Sequence, residues 1–149
     1  MKVRDVMDKI VVSVPPQTTY EQAAKIMHQH RFSGLPVVDD SGKLVGILSE
    51  KDLFRALYPN YEDYARKTEE FLAEEAEESH IEEVRKNTVD HYMTKSVLSI
   101  ESDAPIMKAG GIMLAHGVHR LPVIEHGRLV GLVTRENIYG AIIQHHLGL

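Results

Sequence analysis

Cysteine is absent from the 149 residues, which excludes disulfides, thiolate metal centres and a thiol nucleophile together. Also missing is any excess of positive charge. Seventeen Lys and Arg against 22 Asp and Glu leave a net charge of −5 and a pI near 6.0, so there is no basic field to hold nucleic acid at large. No run approaches the ~20 apolar residues of a bilayer span, and the first residues lack the apolar core of a leader peptide. These absences lead to the expectation of a soluble, cytoplasmic protein without a membrane partner. A chain of this length fits one compact unit, or two small fused ones, burying roughly two-thirds of its extended surface.

What is present is an internal duplication. A shift of 86 superposes Val3 on Val89, Met7 on Met93, Val11 on Val97, Ala23 on Ala109, Met27 on Met113 and His30 on His116. Leu35-Pro36-Val37 falls on Leu121-Pro122-Val123, and after a one-residue deletion Gly42, Leu44, Val45 and Gly46 fall on Gly127, Leu129, Val130 and Gly131. The chain divides into repeat one (1–58), an acidic insert (59–88) and repeat two (89–149). Neither repeat covers its own apolar strands easily, so the two are expected to pack together and leave related clefts at their junction.

Each repeat reads as β-α-β-β-α, an α/β (α+β) unit. In the first, Val11 to Val14 predicts a strand broken by Pro15 and Pro16. Thr18 with Glu21 predicts the capping box of a helix running to His30, with Tyr20, Ala23, Ala24 and Met27 on its buried side. Leu35–Val38 and Leu44–Leu48 are strands joined through Asp39-Asp40-Ser41-Gly42-Lys43, and the last helix starts after Ser49 and stops near Leu57, short of Pro59. Repeat two has a tighter hairpin at Glu125-His126-Gly127-Arg128 and Pro105 in the first turn of its first helix. That helix carries Ile106, Met107, Ala109, Ile112, Met113 and Leu114 with Lys108 as its one charge, so both its faces are expected to be buried. Gly110 and Gly111 each cost about 1 kcal/mol against alanine there, which points to another backbone approaching and so to self-association. Accommodation of the pair within one core is the alternative.

The insert holds Glu69, Glu70, Glu74, Glu75, Glu77, Glu78, Glu82 and Glu83 and lacks the Gly, Ser or Pro content of a flexible linker, with Pro59 and Ser79 its only such residues. With the loose stripe Tyr64, Phe71, Leu72, Ala76 and Val84 it predicts one or two helices. Its acidic side is a solvated face or a docking surface for a basic partner.

Ser49-Glu50-Lys51-Asp52 and Thr134-Arg135-Glu136-Asn137 open the last helix of each repeat. Ser49-x-x-Asp52 is a capping pattern. The same geometry offers helix N–H groups to a phosphate and an acceptor-only carboxylate to a pair of ribose hydroxyls. Both readings stand on the residues alone.

The duplicated unit, its Leu-Pro-Val runs and Gly46-Ile47-Leu48-Ser49-Glu50-Lys51-Asp52 together resemble the cystathionine β-synthase (CBS) domain, present as a tandem pair over Val3–Leu57 and Val89–Ile143. The resemblance implies two repeats packed pseudo-twofold through their sheets. It also implies a regulatory module for an adenosine-containing ligand, AMP, ADP, ATP or S-adenosylmethionine, with a homodimer and a protein effector of unknown identity as partners. Carried over by position, Asp52 matches the ribose carboxylate and Ser49 the phosphate-contacting hydroxyl. His119 and Arg120, ahead of Leu121-Pro122-Val123, match a His-Arg pair that some phosphate-binding members have, and Arg120 suits bidentate phosphate contact. Adenine is expected against Val118, Met93, Ser96 and Leu98. A surface ion pair and a turn histidine are the structural alternatives for Arg120 and His119. A second cleft, with Thr134, Asn137, Ser33, Met7, Ile10 and Val12, is expected to be weaker, because Asn137 offers one acceptor oxygen where Asp52 offers two and Ser33-Gly34 replaces His119-Arg120.

Nine histidines raise a metal reading, but pairs such as His28/His30, His116/His119 and His145/His146 match no strong ligand signature, and no nucleophile elbow supports hydrolysis. No catalytic residue and no metal site are assigned. A nucleotide sensor is thus the leading expectation, and a ligand-free scaffold for a protein partner the alternative.

Overall fold

In a computed structural model of the chain, residues 1–58 and 80–148 are described. They form helices α1 (Val3–Val6), α2 (Tyr20–His30), α3 (Glu50–Ala56), α4 (Ile106–His116) and α5 (Arg135–Leu147). The strands are β1 (Gly34–Val38), β2 (Leu44–Ser49), β3 (Ile100–Glu101), β4 (Arg120–Glu125) and β5 (Arg128–Thr134). Two compact units result. One comprises Ser13–Val38 and Val45–Ser96 and holds the body of repeat one; the other comprises Met1–Val12, Asp39–Leu44 and Val97–Leu149 and holds the body of repeat two. Each repeat's opening segment is therefore grouped with the body of the other repeat.

In the repeat-two unit the sheet order is β3-β4-β5, with β3 parallel and β5 antiparallel to β4. Leu121, Pro122 and Val123 are buried consecutively, as expected of a central strand covered on both faces. They join Val3, Ile100, Ala109, Met113, Val133 and Ile138 in one core. His126 and Gly127, at φ 52° and 78°, make the left-handed pair that a two-residue hairpin needs. In the other unit β1 and β2 pair, and Leu35, Val37, Leu48 and Leu53 pack with Ala23, Met27 and Val89.

Several expectations need correction. Residues 11–14 form no strand; Val14 alone makes a parallel bridge to Val37. The cause is Pro16. At the equivalent place in repeat two, Ser102 donates its N–H to the Ile124 carbonyl (3.1 Å), a bond that proline cannot make. Helix α2 is capped by Thr19 with Gln22, not by Thr18 with Glu21. Thr18 is occupied as backbone, accepting from the Val89 N–H, and the Glu21 carboxylate binds Arg85 instead (2.5 and 3.3 Å). Pro105 is the N-cap of α4 and lies outside its first turn.

Helix α4 also departs from expectation. Ile106, Ala109 and Met113 are buried, but Met107 and Leu114 are 68% and 82% exposed and Gly111 faces open space. Gly110 packs near Ile138 of α5. Of the insert, Glu69 to Glu78 and the stripe Tyr64, Phe71, Leu72 and Ala76 lie outside the described residues. Residues 80–84 are helical, with Val84 buried and Glu82 and Glu83 exposed.

Candidate functional site

In the repeat-one unit, Ser49 ends β2 and caps α3. Its N–H and hydroxyl both donate to Asp52 Oδ2 at 2.9 Å, and its Oγ accepts the Asp52 N–H at 3.1 Å. That box is structural, as the matching box of Thr134 and Asn137 on α5 shows. Asp52 differs in its surroundings. It is 6% exposed, the only buried carboxylate among the described residues, and the Thr94 hydroxyl lies 3.3 Å from Oδ1 with Arg55 at 3.9 Å. A short antiparallel bridge between Ile47 and Thr94 brings Thr94 there. It needs Gly46, because any Cβ at that position would collide with the Met93 sulfur. Met93 is thereby fixed beside the same strand, while Ser96 is exposed.

The phosphate cradle anticipated at the start of α3 is largely occupied. The helix has seven residues, the Glu50 N–H donates to the Ser33 carbonyl (3.0 Å), and the Asp52 N–H donates to Ser49. The Ser49 hydroxyl is spent within its own box.

Cations gather in the repeat-two unit. Gly117, at φ 65°, ends α4, and the half-buried Val118 leads into the exposed His119 and Arg120 at the start of β4. The Arg135 N–H donates to the His119 carbonyl (2.8 Å), and the Arg135 guanidinium contacts His119 Nδ1. With Nδ1 accepting, the proton of a neutral ring sits on Nε2, which is then the outward donor. Arg120 belongs to the same field. The Glu136 carboxyl is held below its ordinary value by its own backbone N–H first, then by the Thr134 hydroxyl and the charges of Arg135 and Arg120. Leu98 is 39% exposed in this unit.

The residues expected at the second cleft also divide. Thr134 and Asn137 share the box that caps α5, and the Met7 side chain lies over Gly131, three residues before Thr134, as Met93 lies over Gly46. Ile10 is 95% exposed and Val12 39%, whereas Ser33 belongs to the repeat-one unit. For the main cleft, Ser49, Asp52, Met93 and Ser96 belong to one compact unit and Val118, His119, Arg120 and Leu98 to the other. Two residues escaped sequence reasoning, Thr94 and Arg135. Comparison of the repeats carries a signal for each: Thr94 aligns with Asp8, and Arg135 with Glu50. Among the described residues, no three His, Asp or Glu side chains are placed to hold a metal ion. Nor is any described helix long and apolar enough to cross a membrane.

The family model described as CBS domain matches residues 3–59 and 89–144. A CBS domain-containing protein of Dictyostelium discoideum is 30% identical over 143 residues, covering 95% of this chain and 91% of its own. Among solved structures, CBSX2 in complex with AMP superposes with a TM-score of 0.74 at 26% identity, over 97% of each chain. The CBS domain pair of protein MJ0100, in complex with 5′-methylthioadenosine and S-adenosyl-L-methionine, gives 0.69 at 27% identity over 95% of each.

Proposed function

Because the chain belongs to the CBS domain family, which it matches twice, we propose that it is a regulatory module, not an enzyme, that senses an adenosine-containing ligand of the AMP, ADP or ATP type. The carrying observation is the burial of Asp52 with Thr94 beside it. Its Oδ2 serves the capping box while Oδ1 has only weak partners, which leaves an acceptor for a ribose diol. In the repeat-two unit Arg120 and Arg135 are guanidiniums suited to bidentate contact with phosphate oxygens, with the His119 imidazole beside them. Relatives of similar fold were solved with AMP or with S-adenosylmethionine and methylthioadenosine, which supports the ligand class. The two guanidiniums favour a phosphorylated member over a sulfonium.

Regulation requires that the ligand bind one arrangement of the protein more tightly than another, by ~1 to 3 kcal/mol in ordinary allostery. The arrangement proposed is a homodimer formed through α4 and α5, whose Met107, Leu114, Tyr139 and Leu147 are all more than 60% exposed. That same surface favours a second reading, in which the pair is a scaffold for a protein and binds no nucleotide. Calorimetric titration of wild type and Asp52→Asn with AMP, ADP, ATP and S-adenosylmethionine separates the two. Saturable binding that weakens in the variant is expected; heats of dilution throughout would leave only the scaffold.

A further inference from the structure

Helix α3, which carries Asp52 in its first turn, has seven residues, and its last four carbonyls lack partners within it. Two are met by the chain that follows: the Leu57 N–H donates to the Phe54 carbonyl and the Tyr58 N–H to that of Arg55, each at 3.1 Å. The other two are met from a distance in sequence. The Tyr20 hydroxyl donates to the Leu53 carbonyl at 2.7 Å, and His80 Nε2 donates to the Ala56 carbonyl at 2.9 Å. Tyr20 is itself held edge-on by Tyr92, with ring centroids 5.7 Å apart, and the Tyr92 oxygen accepts from the Asn87 amide at 2.8 Å. At the opposite end of α3 the Thr94 hydroxyl reaches the Asp52 carboxylate at 3.3 Å. Residues 80–94 therefore touch α3 at both ends, directly through His80 and Thr94 and between them through Tyr20.

The hold on this stretch is shallow. Val84 and Val89 are its only buried residues, while Glu82, Glu83, Lys86 and Asp90 are exposed. Three backbone bonds fasten it to the start of α2: the Tyr20 N–H donates to the Asn87 carbonyl (2.8 Å), the Glu21 N–H to that of Arg85 (3.2 Å), and the Val89 N–H to that of Thr18 (2.8 Å). The Arg85–Glu21 ion pair adds to them. Few buried apolar groups and bonds near solvent are the conditions for local opening apart from global unfolding. We infer that residues 80–94 are a strap whose docking on α3 is coupled to occupancy of Asp52: a ligand there holds the end of the acidic insert against the repeat-one unit, and its departure lets that end open. The inference rests on the adenosine-sensing reading above and adds to it an equilibrium through which the ligand is reported. Opening withdraws the Thr94 hydroxyl from Asp52 and leaves the Ala56 carbonyl without its donor, so the carboxylate is fully positioned only while the strap is docked. A ligand that needs that placement binds the docked form more tightly and must in turn favour it.

Amide hydrogen exchange, followed residue by residue by NMR on the full chain, reads the strap directly. With AMP at ten times its dissociation constant, exchange of the Tyr20, Glu21 and Val89 amides should slow about tenfold, and the protected amides of β4 and β5 should change much less. In Asp52→Asn, with affinity about tenfold lower, the same AMP concentration should slow those three amides about twofold. His80→Ala, which leaves Asp52 untouched, should speed exchange of the Val89 amide about fivefold in the absence of AMP, with circular dichroism like that of wild type. Calorimetric binding of AMP with those amides unchanged, or slowed no more than those of β4 and β5, would overturn the inference and leave the sensing reading standing. Equal exchange in His80→Ala and wild type would likewise overturn it, since α3 would not be holding the strap. No binding heat with AMP would overturn both.

Discussion

At the scale of the residue, Asp52 carries two duties that one substitution can part. Asparagine retains an acceptor for the Ser49 N–H, as Asn137 does for Thr134 at 2.8 Å, so Asp52→Asn should melt close to wild type while its nucleotide affinity falls about tenfold or more. Alanine removes the box as well and should cost about 1 kcal/mol of stability in addition, visible as a lower midpoint in urea. The cations divide by ligand. Arg135→Ala should weaken ATP more than S-adenosylmethionine, because only the former presents phosphate oxygens to a guanidinium; equal losses for both would place Arg135 outside the ligand's reach. The capping residues were legible in the sequence because an N-cap pattern is local. Thr94 was not, since its contact with Asp52 spans 42 residues and depends on a single bridge that has no propensity signal. Arg135 was overlooked for a related reason: within one repeat it is an ordinary first-turn residue, and only its backbone bond to His119 ties it to the His-Arg pair.

At the scale of the element, strands and helices flanked by strong punctuation came out nearly in register. Helix α3 stops at Ala56 ahead of Pro59, and both hairpins turn where Gly42 and Gly127 take positive φ. One error fell where two residues competed for one role. Thr18 and Thr19 are equally good caps in sequence, and the choice was made by distant partners: the Val89 N–H on the Thr18 carbonyl and Arg85 on Glu21. That clamp, reinforced where the Tyr20 N–H donates to the Asn87 carbonyl at 2.8 Å, ties the end of the acidic insert to the start of α2. Its ion pair predicts a pH response. Hydrogen bonding from Arg85, then the charges of Arg85 and Lys25, lower the Glu21 carboxyl below its ordinary 4.5 in the folded protein. A carboxyl depressed on folding stabilises above its unfolded value and loses that contribution as pH falls through the folded one. The melting temperature of wild type should therefore exceed that of Arg85→Gln at neutral pH, with the gap closing below pH 4.5 as Glu21 protonates. A gap constant down to acid unfolding would mean that the pair contributes through packing alone. The pair is exposed, so a small effect is expected.

At the scale of the whole molecule, the duplication was the most legible feature, because a shift of 86, reduced to 85 past the hairpin, aligns residues of every element. It could not show that residues 1–12 are grouped with the body of repeat two, since a repeat boundary marks ancestry and a compact unit marks packing. Nor could it separate a buried helix from one awaiting a partner. Helix α4 reads as apolar all round, yet Met107, Gly111 and Leu114, spaced at one face, are exposed, as are Tyr139 and Leu147 of α5. Large apolar side chains exposed on one helix face mark an interaction site when they form a patch, and a twofold homodimer would cover them with its own copy. Light scattering should therefore find dimers for wild type and monomers for Leu114→Lys and Met107→Lys, the two variants having wild-type circular dichroism. Linkage then constrains the sensor. If nucleotide strengthens the dimer by some factor, dimerisation must strengthen nucleotide binding by that same factor. Leu114→Lys, far from any proposed ligand contact in sequence, should thus bind AMP more weakly by the ratio that AMP confers on the wild-type dimer constant. Equal AMP affinity in monomer and dimer would mean that the ligand carries no information to this interface, and the regulated equilibrium would have to be sought elsewhere in the chain.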